Sequence, residues 1–149
     1  MTGIEVRQTE AFARWFEQLR VRQARARILV RIRRASLGNL GDVRLVGSRS
    51  AGGVMAKPRT RPWDAAEHLQ SRHDMAAYLE AALDEGDAAL VAATLGDIAR
   101  ASGMTAIARE TGLGRESLYK ALSPEGNPEF ATVLKVLHSL GLKLHASAA

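Results

Sequence analysis

Apolar positions recur along this chain at two spacings, and the helical one dominates. Phe12, Trp15, Phe16 and Leu19 fall at i, i+3, i+4 and i+7, which predicts one apolar helix face that Thr9 is placed to cap. A second helix is predicted from about Val21 to Ala35. Ile28, Leu29 and Ile32 are its apolar positions, and Arg22, Arg25, Arg27, Arg31, Arg33 and Arg34 cover the remainder. LGNLGD at 37–42 ends it. Ile4 to Arg7 alternates instead, as a half-buried strand does, and Val43 to Val46 is expected as another strand.

From residue 63 onward the pattern is helical. Ser71 and Asp74 have the S-x-x-D spacing of a capping box, ahead of Met75, Leu79 and Leu83 on one face. Asp87 caps a helix that turns Leu90, Val91, Thr94, Leu95 and Ile98 inward, with Gly103 just past its end. Two short helices follow at about 104–111 and 115–122. Asn127-Pro128 opens the last helix, with Phe130, Val133, Leu134, Leu137 and Leu140 apolar, and Gly141 stops it. LKLH at 142–145 alternates and predicts a terminal strand.

Between these units the chain is small, polar and glycine-rich from Val46 to Val54, and Pro58 and Pro62 then disfavour helix. The expected organisation is a first unit at 1–46, a linker at 47–62 and a helical unit at 63–149. The fold class is mainly α, with a small N-terminal α+β part.

Charge sharpens that division. Residues 1–54 hold 11 Arg, no Lys and 4 acids, whereas 55–149 hold 10 Lys and Arg against 12 acids. A net +5 therefore hides a basic first unit and a slightly acidic second one, which suggests different partners for each. Cysteine is absent, which excludes disulfides, thiolate metal sites and cysteine nucleophiles. No apolar run approaches the roughly 18–20 residues of a membrane span, and the N-terminus lacks a signal-peptide core. A cytoplasmic protein without membrane partner is expected.

The stretch GMTAIARETGLGRESLYKAL at 103–122 carries the candidate chemistry. Only Gly112, Leu113 and Gly114 join its two helices, the turn by which a helix-turn-helix closes. Ala108 is small where the second helix crosses, Gly112 can take the left-handed conformation, and Leu118 with Ala121 and Leu122 plugs the second helix into the core. With Leu118 inward, Glu116, Tyr119 and Lys120 lie on the far side. Arg115 and Glu116 sit at the helix N-terminus, the end such proteins insert into the major groove. A plain helical hairpin with a solvated polar face is the competing reading.

TAIARETGLGRESLYKALSPEGNPEFATVLKVLHSLGLKL resembles the repressor-like helix-turn-helix of HigA-type antitoxins, and the similarity covers about 60–146. The resemblance implies a dimeric protein that binds its toxin and represses its own operon. Carried over by position, the DNA-facing residues are Gly114, Arg115, Glu116, Ser117, Tyr119 and Lys120, with Thr105 and Asn127 as phosphate contacts. IEVRQTEAFARWFEQLRVRQARARILVRIRRASLGNLGDV, at about 3–46, resembles the opening of RelE/HigB-like toxins, which are messenger-RNA endonucleases. The match stops before the strands that bear that family's Arg, Tyr and Lys catalytic groups. The chain therefore reads as a truncated toxin head joined to an antitoxin.

Rival chemistries have less support. The first unit has arginines but no His and no Tyr, so it offers phosphate-binding charge without a proton-transfer pair. GSRSAG at 47–52 lacks the second glycine of a nucleophile elbow. His68, His73, His138 and His145 read as surface histidines, and no metal, cofactor or catalytic site is predicted. The expected partners are operator DNA with an inverted repeat, a RelE/HigB-like toxin, and a second copy of the chain paired through 128–146. A toxin-binding module without specific DNA binding is the alternative. The head either docks on the helices of the second unit or hangs loosely from it.

Overall fold

The computed structural model of the chain describes residues 3–39 and 59–149. The order is β1 (Arg7–Thr9), α1 (Glu10–Gln18), α2 (Arg22–Ser36), β2 (Thr60–Pro62), a 3₁₀ turn (Ala65–His68), α3 (Arg72–Glu85), α4 (Ala88–Ser102), α5 (Met104–Thr111), α6 (Arg115–Ala121) and α7 (Phe130–Leu140). The molecule is mainly helical, with one two-stranded antiparallel sheet among the described residues, in which Arg7 faces Pro62 and Thr9 faces Thr60. The strand expected at 43–46, and the linker as far as 58, lie outside the described residues.

The predicted caps set the helix starts. Thr9 Oγ1 accepts from the Phe12 N–H at 3.1 Å, Ser71 Oγ from the Asp74 N–H at 3.1 Å, and Asp87 Oδ1 from the Ala89 N–H at 2.9 Å. Asp74 reaches back to the Gln70 N–H at 3.3 Å, one residue beyond the Ser71 N-cap that a reciprocal capping box would engage.

α4 is the centre of the fold. It is buried continuously from Ala92 to Ala99, as a helix apolar on all sides must be, and α2, α3, α5, α7 and the 3₁₀ turn all pack on it. α3 turns Met75, Tyr78, Leu79 and Ala82 inward, one stripe at i, i+3, i+4 and i+7. α2 lies along α3, and its Leu29 and Val30 are buried in the same core. Phe16 of α1 is fully buried, edge-on to His68 at 4.8 Å, with the Arg25 guanidinium 5.1 Å from its ring centre. The residues before and after the undescribed stretch thus share one core, so the N-terminal segment docks rather than hangs.

One carboxylate joins the parts. Asp97 of α4 is 1% exposed. Its Oδ2 accepts from the Tyr78 hydroxyl of α3 at 2.7 Å and from Arg33 Nε of α2 at 3.0 Å, while Oδ1 accepts from Arg100 Nη2 at 2.9 Å. Arg100 also forks onto both oxygens of Asp64, at 2.9 and 3.1 Å. Burial and the neighbouring Asp97 push the Tyr78 hydroxyl well above its usual pKa. At Asp64 partial burial acts upward, but Arg100, the Ala66 N–H and Arg33 outweigh it and hold the carboxyl below its usual range.

Several expectations are corrected. The first strand lies at 7–9 rather than 4–7, because its partner is 60–62, at the end of the expected linker. Residues 4–6 still run alongside: the Ile4 N–H donates to the Ser36 carbonyl and the Trp63 N–H to the Val6 carbonyl, at 2.8 and 2.9 Å. No strand forms at 142–145. Among the described residues no strand lies beside them, and they border Ala76, Leu79 and Leu83 of α3 while the Leu142 N–H caps α7 by donating to the Leu137 carbonyl. α7 begins at Phe130, not at Asn127-Pro128, because the residue before a proline stays extended and Glu129 continues so, at ψ 147°. Trp15, Leu83, Phe130 and Leu134, expected inward, are exposed. His68, expected at the surface, is buried beneath Phe16.

Two outcomes are expected. Asp97→Ala leaves the buried Tyr78 hydroxyl and Arg33 Nε without their carboxylate acceptor, while Arg100 keeps Asp64, and should lower unfolding free energy by about 3–5 kcal/mol in chemical denaturation. His68 gives a pH dependence. Burial, with Arg25 and Arg61, holds its pKa below the usual 6.5 against the opposing pull of Glu67 and Glu17. The unfolded chain therefore takes this proton first, so the histidine's contribution is complete above pH 6.5 and is lost as pH falls below it. The melting temperature should drop between about pH 7.5 and about pH 5, and His68→Phe should flatten that drop.

Candidate nucleic-acid interface

α5 and α6 meet at the three-residue turn predicted for them. Gly112 has φ +71°, the left-handed conformation that ends α5 at little cost only for glycine. The Thr111 hydroxyl donates to the Ile107 carbonyl at 2.7 Å, which satisfies the last turn of α5 within itself. Ile107 and Ala108 of α5 are buried, as are Leu118 and Leu122 on the inner side of α6. Gly114 precedes α6 in an extended conformation and supplies no side-chain cap, so the first N–H groups of α6 have no side-chain partner at that end.

The outer side of α6 gathers most of the predicted residues. Arg115, Glu116, Ser117, Tyr119 and Lys120 are all exposed, and Gly114 is exposed at the turn beside them. The Arg115 guanidinium stands 5.6 Å from the Tyr119 ring centre, one helical turn away, a contact that holds the arginine out along the helix. Arg109 of α5 is exposed as well. Among the described residues, no carboxylate pairs with Arg109, Arg115 or Lys120. Thr105 and Asn127 are exposed but do not belong to this helix: Thr105 lies in the first turn of α5 and Asn127 in the extended link to α7.

The exposed side chains of α6 offer cations, a ring and a hydroxyl. Two side chains can fork or donate to phosphates and base edges (Arg115, Lys120), one is an amphipathic ring (Tyr119), and one is a small hydroxyl (Ser117). Among the described residues no group of three or more His, Asp or Glu is placed to hold a metal ion.

Sequence reasoning missed what holds α6 in place. A Cβ added at Gly96 would run into the Leu122 carbonyl oxygen, so α4 and the end of α6 approach at backbone contact. The signal was available: a glycine in the middle of an otherwise apolar helix marks a close approach. Gly96→Ala should cost about 1–3 kcal/mol of stability by overpacking. Urea denaturation measures this, and an unchanged midpoint would mean that α6 can move aside freely.

Residues 59–148 match the family described as "Probable addiction module antidote protein". An uncharacterized protein of Haemophilus influenzae is 51% identical over 83 residues, which are 56% of this chain and 86% of the relative. No solved structure matches the chain. No helix among the described residues is long and apolar enough to cross a membrane. With a family match over more than half its length and a relative covered almost throughout, the chain belongs to the addiction module antidote family.

Proposed function

We propose that this antidote is also a transcriptional repressor. In this reading 104–122 is a helix-turn-helix whose second helix, α6, enters the major groove of operator DNA, while the domain neutralises a cognate toxin. The observation that carries it is the two-sidedness of α6: Leu118 is fully buried, and Arg115, Glu116, Ser117, Tyr119 and Lys120 are exposed, with both cations free of carboxylate partners among the described residues. Residues 1–46 are read as a RelE/HigB-like fragment without that family's catalytic groups, and no enzymatic activity is assigned to the chain.

A single recognition helix contacts too few base pairs to select a site in a genome. The chain is therefore proposed to act as a homodimer on an inverted repeat, paired through 128–146. Support comes from α7, where Phe130 is 67% and Leu134 46% exposed at i, i+4 spacing. Two apolar side chains of that size on one helix face are better covered than wetted. Toxin binding without specific DNA recognition is the second reading, favoured by the 12 acids against 10 Lys and Arg after residue 54.

DNA upstream of the chain's own gene is the probe, in gel-shift titrations at several salt concentrations. Arg115→Ala should cost about 1–3 kcal/mol at the preferred site and relax the sequence preference there. Lys120→Ala should weaken all sequences alike and reduce the salt slope by about one. Half of the repeat should bind more weakly than the whole. If wild type gives no shift, or both variants bind like it, α6 is not a recognition helix and the toxin-binding reading takes its place.

A further inference from the structure

The segment 3–39 lies outside the stretch that matches the antidote family, which begins at residue 59. The Haemophilus relative is the shorter protein and is matched over 86% of its own length, which leaves little of it to supply such a segment. Yet in this chain the segment covers a large part of the family domain. Phe16 lies on His68, Arg33 on the buried Asp97, and β1 on the edge of β2. Without a cover, β2 presents unpaired backbone donors and acceptors. Asp97 likewise loses one of the two guanidinium groups that justify a buried carboxylate.

We propose that the face made by β2, the 3₁₀ turn, α3 and α4 is where the antidote domain takes a protein partner. The partner presents a short strand followed by an arginine-rich helix, and residues 3–39 fill the face in cis. This rests on the antidote reading of the chain, not on DNA binding. Charge fixes the partner's chemistry. Arg22 pairs with Asp74 at 3.0 Å, Arg33 with Asp97 at 3.0 Å and Arg34 with Glu85 at 3.0 Å. Across the face every one of these pairs has its cation on the segment and its carboxylate on the family domain. The strand adds a second code, because backbone pairing with β2 accepts an extended segment and rejects a helix there. A basic strand-and-helix element of another chain meets both requirements, and an acidic helix fails the first. The intact chain is then self-occupied and takes such a partner poorly.

The test uses a labelled synthetic peptide of residues 3–39 as the partner's stand-in. The full chain carries a protease site between residues 47 and 54, is cut, and is refolded from urea with the peptide in about tenfold excess, so that occupancy follows mass action rather than release rate. In parallel, the uncut chain and an uncut Arg33→Glu/Arg34→Glu variant are titrated with the same peptide. The proposal expects labelled peptide on most of the cut chains, and at least about tenfold tighter binding to the uncut variant than to the uncut wild type. A peptide that itself carries Arg33→Glu and Arg34→Glu should bind neither. Absence of peptide from both the cut chain and the variant overturns the proposal, as does equal binding to uncut wild type and variant. A chain that shifts DNA but never takes the peptide keeps the repressor reading and loses this one. The converse result does the opposite.

Discussion

A carboxylate with no access to water must be surrounded by hydrogen-bond donors, because burying it without them is very costly. Asp97 meets that condition with one side chain from each neighbour: Tyr78 from α3, Arg33 from α2 and Arg100 from its own helix. Moving Arg33 or Arg100 away removes a cation and moving Tyr78 away removes a donor, so the site fixes the relative positions of helices that are distant in sequence. Asp64, held by Arg100, ties the end of β2 to the same point. Apolar packing of Leu29, Val30, Tyr78 and Leu79 supplies most of the burial here, but packing tolerates sliding. The hydrogen-bonded charge does not.

The residue before it works on another face of α4. Gly96 and Asp97 are about 100° apart around the helix. Asp97 clamps α2 and α3, while Gly96 lets the end of α6 come into backbone contact. Two adjacent positions therefore connect the surface covered by 3–39 with the helix proposed to read DNA. A partner that replaced 3–39 would bear on Asp97 one residue from the support of α6. That adjacency gives the two proposed functions a short physical link, through a single rigid helix.

Much of this was readable from local rules. Thr9, Ser71 and Asp87 announce their helices because a side-chain oxygen at that position has only one use, and the α5–α6 turn follows from Gly112 and the spacing of Ala108 and Leu118. The outer face of α6 followed from the same geometry. What local rules did not reveal depends on distant chain. Thr60, Arg61 and Pro62 have no alternation, and they become a strand because residues 7–9 arrive beside them. His68 reads as a polar surface residue until Phe16 lands on it. Asp97 carries a local signal of its own: an acid within a helix buried from Ala92 to Ala99 has no wet face to occupy, so it must have a partner. In the other direction, Phe130 and Leu134 fit the apolar stripe of α7 but lie on the side that its neighbours leave uncovered.

If Asp97 makes the two segments one cooperative unit, they must open together. Native-state hydrogen exchange on the intact chain reads this directly by comparing the buried amides of Leu29 and Val30 in α2 with those of Ala93 and Leu95 in α4. The account predicts that the slowest amides of both helices exchange with the same opening free energy, equal to that of global unfolding. Amides of α2 that exchange through a separate, low-energy opening while α4 remains protected would contradict it.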